Sequence, residues 1–214
     1  MVSGLRKRVC GLSSLKRFVY LISPSKIEEN FYKKLDKVLS FKNVKYFQLR
    51  LKNTKKNSLF KVAKSIRKIT RKHKVKFIIN DDFTLIDKIK ADGCHMGQLD
   101  GSFIEARKKL KSKIFGITCH NSKILVKNAV KFNPDYIALG SFFKSKLKPS
   151  AKKAKISILK WAKKEIKKPI VVIGGINNFN YKNLINAGAN YIAISSFIWD
   201  NPNFKPEKAI KKFK

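Results

Sequence analysis

Residues 75–100 read Val75-Lys76-Phe77-Ile78-Ile79-Asn80-Asp81-Asp82-Phe83-Thr84-Leu85-Ile86-Asp87-Lys88-Ile89-Lys90-Ala91-Asp92-Gly93-Cys94-His95-Met96-Gly97-Gln98-Leu99-Asp100. An apolar, β-branched run at 75–80 closes on Asn-Asp-Asp. A segment of helical period covers 83–89, and a second short run at 93–97 leads into Gln98 and Asp100. Strand, helix, strand is the unit that builds a parallel sheet, because the crossover lays its helix against the sheet face. Both strands end on polar residues, and five of the thirteen acidic residues of the chain fall in this stretch.

The same alternation continues in both directions. Strand-like runs occur at 17–23, 45–50, 75–80, 93–97, 113–118, 135–140, 170–174 and 191–195. Lys-rich segments of helical period lie at 27–39, 59–73, 83–89, 103–110, 124–132, 156–166, 181–187 and 206–213. Eight strands alternating with eight helices predict an α/β protein of the (β/α)8 TIM barrel type, in which closure removes the sheet edges. An open doubly wound sheet is the other arrangement of such units. Its Gly-x-Gly-x-x-Gly signature is missing after the first strand, which ends Tyr20-Leu21-Ile22-Ser23-Pro24. Residues 18–214 are expected to form one barrel domain, preceded by a basic, Ser-containing extension at 1–17 that lacks the apolar core of a secretory signal.

Composition sets further bounds. The chain has 214 residues, 43% of them hydrophobic, which suffices for one large core. Fifty Lys and Arg against thirteen Asp and Glu give a formal charge of +37. Such a charge suits polyanions in general. Here the lysines are scattered over every predicted helix and form no stripe, so a solvated lysine surface is expected, with no specific nucleic acid and no membrane as partner. Cys10, Cys94 and Cys119 are odd in number and lack zinc-site spacing, which fits a reducing cytoplasm. No apolar run approaches the roughly 18–20 residues that span a bilayer.

In a barrel of this kind, groups at the C-terminal strand ends converge whatever their separation in sequence. Gln48, Arg50 and Lys52 alternate with Phe47, Leu49 and Leu51, so a strand's period of two sends the polar set inward, where guanidinium and ammonium suit a departing diphosphate. Asp81 and Asp100 follow neighbouring strands about 4.8 Å apart and could share a hard cation with ligand distances near 2.0–2.1 Å, as magnesium prefers. Asp82 is expected to cap the helix that begins near Phe83. Gly174-Gly175 and Ser195-Ser196 follow the seventh and eighth strands, where barrels often hold phosphate on backbone N–H groups. Thr118 and His120 are expected to share a face with Cys119 pointing away, His120 being a candidate for proton transfer. His95 reads as a hydrogen-bonded structural residue. The basic loop from Phe142 to Lys148 suits a flap over phosphates.

In order and spacing, Gln48-Leu49-Arg50-Leu51-Lys52, Ile79-Asn80-Asp81-Asp82, Ala91-Asp92-Gly93-Cys94-His95-Met96-Gly97-Gln98-Leu99-Asp100, Gly116-Ile117-Thr118-Cys119-His120, Pro134-Asp135-Tyr136-Ile137-Ala138-Leu139-Gly140 and Ile173-Gly174-Gly175-Ile176 resemble the thiamine phosphate synthase family, with the thiazole tautomerases as relatives. The resemblance runs from about Arg17 to Trp199. It implies joining of hydroxymethylpyrimidine diphosphate to thiazole phosphate, giving thiamine phosphate and pyrophosphate. The implied path is dissociative: pyrophosphate leaves, a pyrimidine carbocation forms, and the thiazole nitrogen captures it. By similarity, Gln48, Arg50, Lys52, Asn80, Thr118, Ser145 and Lys148 would contact the diphosphate substrate, with Arg50, Lys52, Thr118 and Lys148 taking part in catalysis. Asp81 and Asp100 would hold Mg2+, and Gly175, Ser195 and Ser196 the thiazole phosphate. The family also suggests a homo-oligomer.

The sequence departs from the family pattern in places. The loop motif Thr-x-Thr-Lys is Ser145-Lys146-Leu147-Lys148, a Pro expected after Gly140 is Ser141, the usual Ser after strand five is Thr118, and an Ile-Ser pair is Ser195-Ser196. The tautomerase branch commonly loses the magnesium aspartates, which this chain keeps. A tautomerase using His120 as base, and a barrel without catalysis that binds a polyanion, are the alternatives.

Overall fold

The computed structural model describes residues 18–144 and 153–214. Eight parallel strands form a closed barrel in sequence order: β1 (Val19–Ile22), β2 (Val44–Leu49), β3 (Lys76–Asn80), β4 (Gly93–Met96), β5 (Ile114–His120), β6 (Tyr136–Gly140), β7 (Ile170–Ile173) and β8 (Tyr191–Ile194). β8 closes on β1 through Val19↔Ile192, Tyr20↔Ala193 and Leu21↔Ile194. The helices are α1 (Phe31–Leu39), α2 (Lys56–Lys72), α3 (Ile86–Ile89, entered through a 3-10 turn at Phe83–Leu85), α4 (Phe103–Leu110), α5 (Lys123–Val130), α6 (Ile156–Glu165), α7 (Tyr181–Asn186), α8 (Ser196–Trp199) and α9 (Pro206–Ile210). None of the described helices is long and apolar enough to cross a membrane.

The strands' period of two divides the core into two parts. Outward residues such as Leu21, Phe47, Leu49, Phe77, Ile79, Phe115, Ile117 and Val172 pack against the helices. Inward residues Tyr20, Ile22, Tyr46, Ile78, Tyr136, Ala138, Val171 and Ala193 fill the barrel. The interior is aromatic rather than charged, so the polar face of β2 is confined to its upper end, beginning at Gln48. α1 buries Phe31, Leu35, Val38 and Leu39, the spacing of one helical face. It begins four residues later than the sequence periodicity suggests. Residues 25–30 are mostly exposed, with Ile27 alone packed on the core, which is too small an apolar face to hold a helical turn. α8 is an additional short helix, held by buried Ile198 and by Trp199 Nε1 donating to Ile22 O at 2.7 Å.

One device recurs at the N-terminal ends of β3, β5 and β7. Asp92 accepts from Phe77 N–H at 2.8 Å while its own N–H donates to Phe77 O at 2.8 Å. Asp135 forms the same ring with Phe115, at 2.8 and 2.7 Å, and Asn190 with Ile170, at 2.9 Å both ways. Each ring satisfies a backbone donor at the floor of the sheet, where an unpaired one would cost about 1–3 kcal/mol.

Candidate active site

The local structure sorts the acidic stretch into distinct roles. Asp82 caps the 3-10 turn by accepting from Thr84 N–H at 3.0 Å and from the Thr84 hydroxyl. Asp87 pairs with Lys109 on the surface, and Asp92 sits at the barrel floor, bound to Arg67 at 2.8 Å. Asp81 and Asp100 remain, and both lie at the C-terminal mouth. Asp81 follows β3 with φ 66°, its N–H donating to His95 O at 2.8 Å, a left-handed turn that Asp tolerates better than most residues. Asp100 is fixed by accepting from Gly97 N–H at 2.6 Å.

Burial, then the adjacent Asp100 carboxyl within hydrogen-bond reach, raises the Asp81 carboxyl to about 6; Arg50 and Lys52 offset part of this. Two carboxylates crowded beside two cations make a hard, all-oxygen donor pair whose repulsion a divalent cation would relieve. Magnesium is typically held this way, by one or two carboxylates with substrate oxygens and water completing its shell. The donor set therefore fits the ion. Among the described residues there is no cluster of three or more His, Cys, Asp or Glu that would form an all-protein cage.

The cationic side of the mouth comes from β2. Arg50 is half-buried, and its backbone is clamped by Ser23, whose Oγ accepts from Arg50 N–H at 3.0 Å and lies 3.3 Å from Arg50 O. Lys52 is exposed in the following turn. Gln48 points inward and is only 2% exposed, yet its Nε2 has no hydrogen-bond partner among the described residues. Buried polar groups are nearly always paired, so this donor marks a place for a ligand acceptor. Asn80 ends β3 in register with His95.

Thr118 faces the same mouth. Its Oγ1 lies 2.7 Å from His95 Nε2, and its carbonyl accepts from Gln98 Nε2 at 2.6 Å. His95 Nδ1 lies 2.9 Å from the Tyr136 hydroxyl, and Tyr136 is 2.7 Å from that of Tyr20. Burial lowers His95 to about 4, so the ring is neutral near pH 7. His95 is thus hydrogen-bonded as expected, while its partners Tyr136 and Tyr20 escaped the sequence reading. Their signal was available: tyrosines at inward positions of β1, β2, β6 and β8 place polar tips inside a closed barrel. Cys119 is buried toward the helices. His120 does not continue the face of Thr118, because the register breaks between them and its φ is 51°, leaving it exposed.

On the thiazole side, packing shapes the backbone. Gly174 (φ 105°) and Gly175 (φ 60°) are needed first for packing: a Cβ on Gly174 would lie 1.9 Å from Ser141 Oγ, and one on Gly175 2.4 Å from Lys144 O. The chain leaving β6 lies along them, with Phe142 N–H to Ile173 O and Phe143 N–H to Gly174 O, both 3.0 Å. The Ser195 hydroxyl donates to Ser23 O at 3.0 Å, so its proton already ties β8 to β1. Ser196 opens α8. Ser145 and Lys148 lie outside the described residues; the flanks of their segment are joined by Ala154 N–H to Ser141 O at 2.7 Å, beside the mouth.

The sequence matches the thiamine monophosphate synthase family over residues 19–198. It is 51% identical over 200 residues to a thiamine-phosphate synthase of Pelagibacter ubique, covering 93% of this chain and 97% of that one. It is 37% identical over 186 residues to that of Erythrobacter litoralis, covering 85% and 87%. The fold superposes on thiamine phosphate pyrophosphorylase from Pyrococcus furiosus with a TM-score of 0.82 at 24% identity, covering 93% of this chain and 94% of that one.

Proposed function

The chain belongs to the thiamine monophosphate synthase family, and we propose that its barrel mouth joins a hydroxymethylpyrimidine diphosphate to a thiazole phosphate, releasing pyrophosphate and leaving thiamine phosphate. It is a transferase. The observation that carries the residue assignment is the meeting of Asp81, Asp100, Arg50 and Lys52 at one rim. When bound between the two aspartates, Mg2+ would supply charge neutralisation for the diphosphate. Arg50 and Lys52 hold that group and stabilise it further as its negative charge grows on departure, an effect larger in the transition state than in the ground state. Gln48 offers its unpaired amide to the pyrimidine substrate. Thr118 stands at the mouth on β5, and Asn80 ends β3, the strand next to β2. No protein nucleophile is needed, because the thiazole nitrogen captures the pyrimidine cation. The loop bearing Ser145 and Lys148 would cover the phosphates, while Gly175, Ser195 and Ser196 would meet the thiazole phosphate through backbone N–H groups.

A tautomerase would need a base in the barrel, and exposed His120 beyond the register break is poorly placed for that work. Turnover of the two precursors with and without magnesium tests the assignment. Asp81→Ala and Asp100→Ala are each expected to lower turnover at least roughly a hundredfold, the usual scale for losing a transition-state electrostatic group. Undiminished rates in both variants would remove the magnesium assignment.

A further inference from the structure

The buried hydroxyls and imidazole inside the barrel have one arrangement of hydrogens that leaves none stranded. Tyr20 Oη, Tyr136 Oη, His95 Nδ1 and Nε2, and Thr118 Oγ1 follow one another at 2.7, 2.9 and 2.7 Å. They come from β1, β6, β4 and β5, so the line crosses the barrel interior. Tyr136 reaches His95 because β5 carries glycine where its ring passes: a Cβ on Gly116 would lie 2.0 Å from the Tyr136 ring. The two rings stack at 5.6 Å and 6°.

Each Tyr carries one hydrogen, and neutral imidazole carries one on either nitrogen. If Nδ1 held the proton and donated to Tyr136, the Tyr136 hydrogen would go to Tyr20, and the hydrogen of Tyr20 would have no acceptor among the described residues. Tyr20 is 2% exposed, so that stranded donor is costly. A doubly protonated ring strands a tyrosine hydrogen as well. With the proton on Nε2, Tyr20 donates to Tyr136, Tyr136 to Nδ1, and Nε2–H to Thr118. Only then is every buried hydrogen used. Thr118 Oγ1 then already accepts from the protein, and its own hydrogen is directed to the cleft.

We propose that Tyr20, Tyr136 and His95 are a one-way hydrogen-bond relay that holds Thr118 as a donor to an anionic oxygen of the diphosphate. Reversed, the relay would turn the Thr118 hydrogen toward His95 and show a negative ligand only lone pairs. Tyr136 and His95 are therefore positioning residues for Thr118. The inference rests on the reaction assigned above only for the identity of the ligand.

Nitrogen-15 spectra of histidine-labelled protein test it directly, with His95 identified by difference from His73→Gln and His120→Gln. The expected state is the Nε2-protonated tautomer, and an Nδ1-protonated His95 overturns the proposal. Tyr136→Phe keeps the ring over Gly116 but removes the donor to Nδ1. It should lose the tautomer preference and weaken inorganic pyrophosphate, measured with magnesium, roughly tenfold or more, as loss of a hydrogen bond to a charged group does. The KM for thiazole phosphate should stay within about twofold, because that substrate is bound elsewhere. Tyr20→Phe should keep the tautomer, since the Tyr136 hydrogen still points to His95. Unchanged tautomer and unchanged pyrophosphate affinity in Tyr136→Phe would also defeat the relay. A protein with the expected spectra that makes no thiamine phosphate would refute the assigned reaction and leave the relay standing.

Discussion

Asp81 and His95 are joined through the backbone of neighbouring strands, and their surroundings shift their proton affinities in opposite directions. The Asp81 carboxyl rises from 3.8 to about 6, so the folded chain keeps a proton that the unfolded chain releases; this group adds stability as pH falls through 6 toward 3.8. His95 drops from 6.5 to about 4, so the unfolded chain gains a proton that the folded chain refuses. That contribution is complete above 6.5 and is lost as pH falls toward 4. The melting temperature of magnesium-free protein should therefore change little between pH 6.5 and 4.5. In Asp81→Asn it should fall across that range, leaving the His95 loss uncompensated. Thermal melts in matched buffers read this, and parallel curves for the two proteins would contradict it. The contrast also shows what the sequence made legible: two carboxylates after adjacent strands announce their meeting, whereas a histidine inside a strand does not disclose which tyrosines will reach it across a barrel. Ser195 adds a contact that the sequence does not announce: its hydroxyl donates to Ser23 O just beyond the neighbouring strand, which leaves its backbone N–H as the group that could meet a phosphate.

At the scale of elements, the floor rings of β3, β5 and β7 show why residues just before a strand are as constrained as those in it. Asp92 and Asp135 use a carboxylate where Asn190 uses an amide oxygen, so acceptor geometry matters more than charge. Asp92→Ala should cost about 2–3 kcal/mol by stranding Phe77 N–H and releasing Arg67, whereas Asp92→Asn, which keeps an acceptor, should cost about 1 kcal/mol or less. Urea denaturation measures both, and equal costs would assign the effect to charge. Turnover per folded molecule should be unchanged, because the ring is at the end opposite the mouth. All eight strands were readable, since period-two apolar runs leave few alternatives. Helix boundaries were less so: the apolar spacing of α1 extends back to Ile27, yet Ile27 is the one residue of 25–30 that reaches the core, and the exposed residues around it stay in turns. α8 escaped notice because four residues are too few to display a helical period.

Across the whole molecule, the charge of +37 is carried on a surface with few carboxylates to answer it. Ion pairs among the described residues engage Asp36, Asp87, Asp92 and Asp135, and the lysines are spread over helices and loops all around the barrel. Folding gathers these charges, so self-repulsion opposes the compact state. Salt screens repulsion between exposed charges over distances near 10 Å at about 0.1 M, and the exposed pairs it weakens contribute little each. Stability should therefore rise with ionic strength, the reverse of what ion-pair networks would give. Between low salt and about 0.5 M sodium chloride, the melting temperature should climb about 3 °C or more, corresponding to about 1 kcal/mol for a domain of this size. Lys61→Glu on α2 and Lys160→Glu on α6, both at exposed positions, should each raise it at low salt, and the gain should vanish at high salt. Tetramethylammonium chloride should act as sodium chloride does, which separates screening from a bound cation. A melting temperature that falls with salt would mean that the lysines are organised into stabilising pairs and do not form a scattered, self-repelling surface.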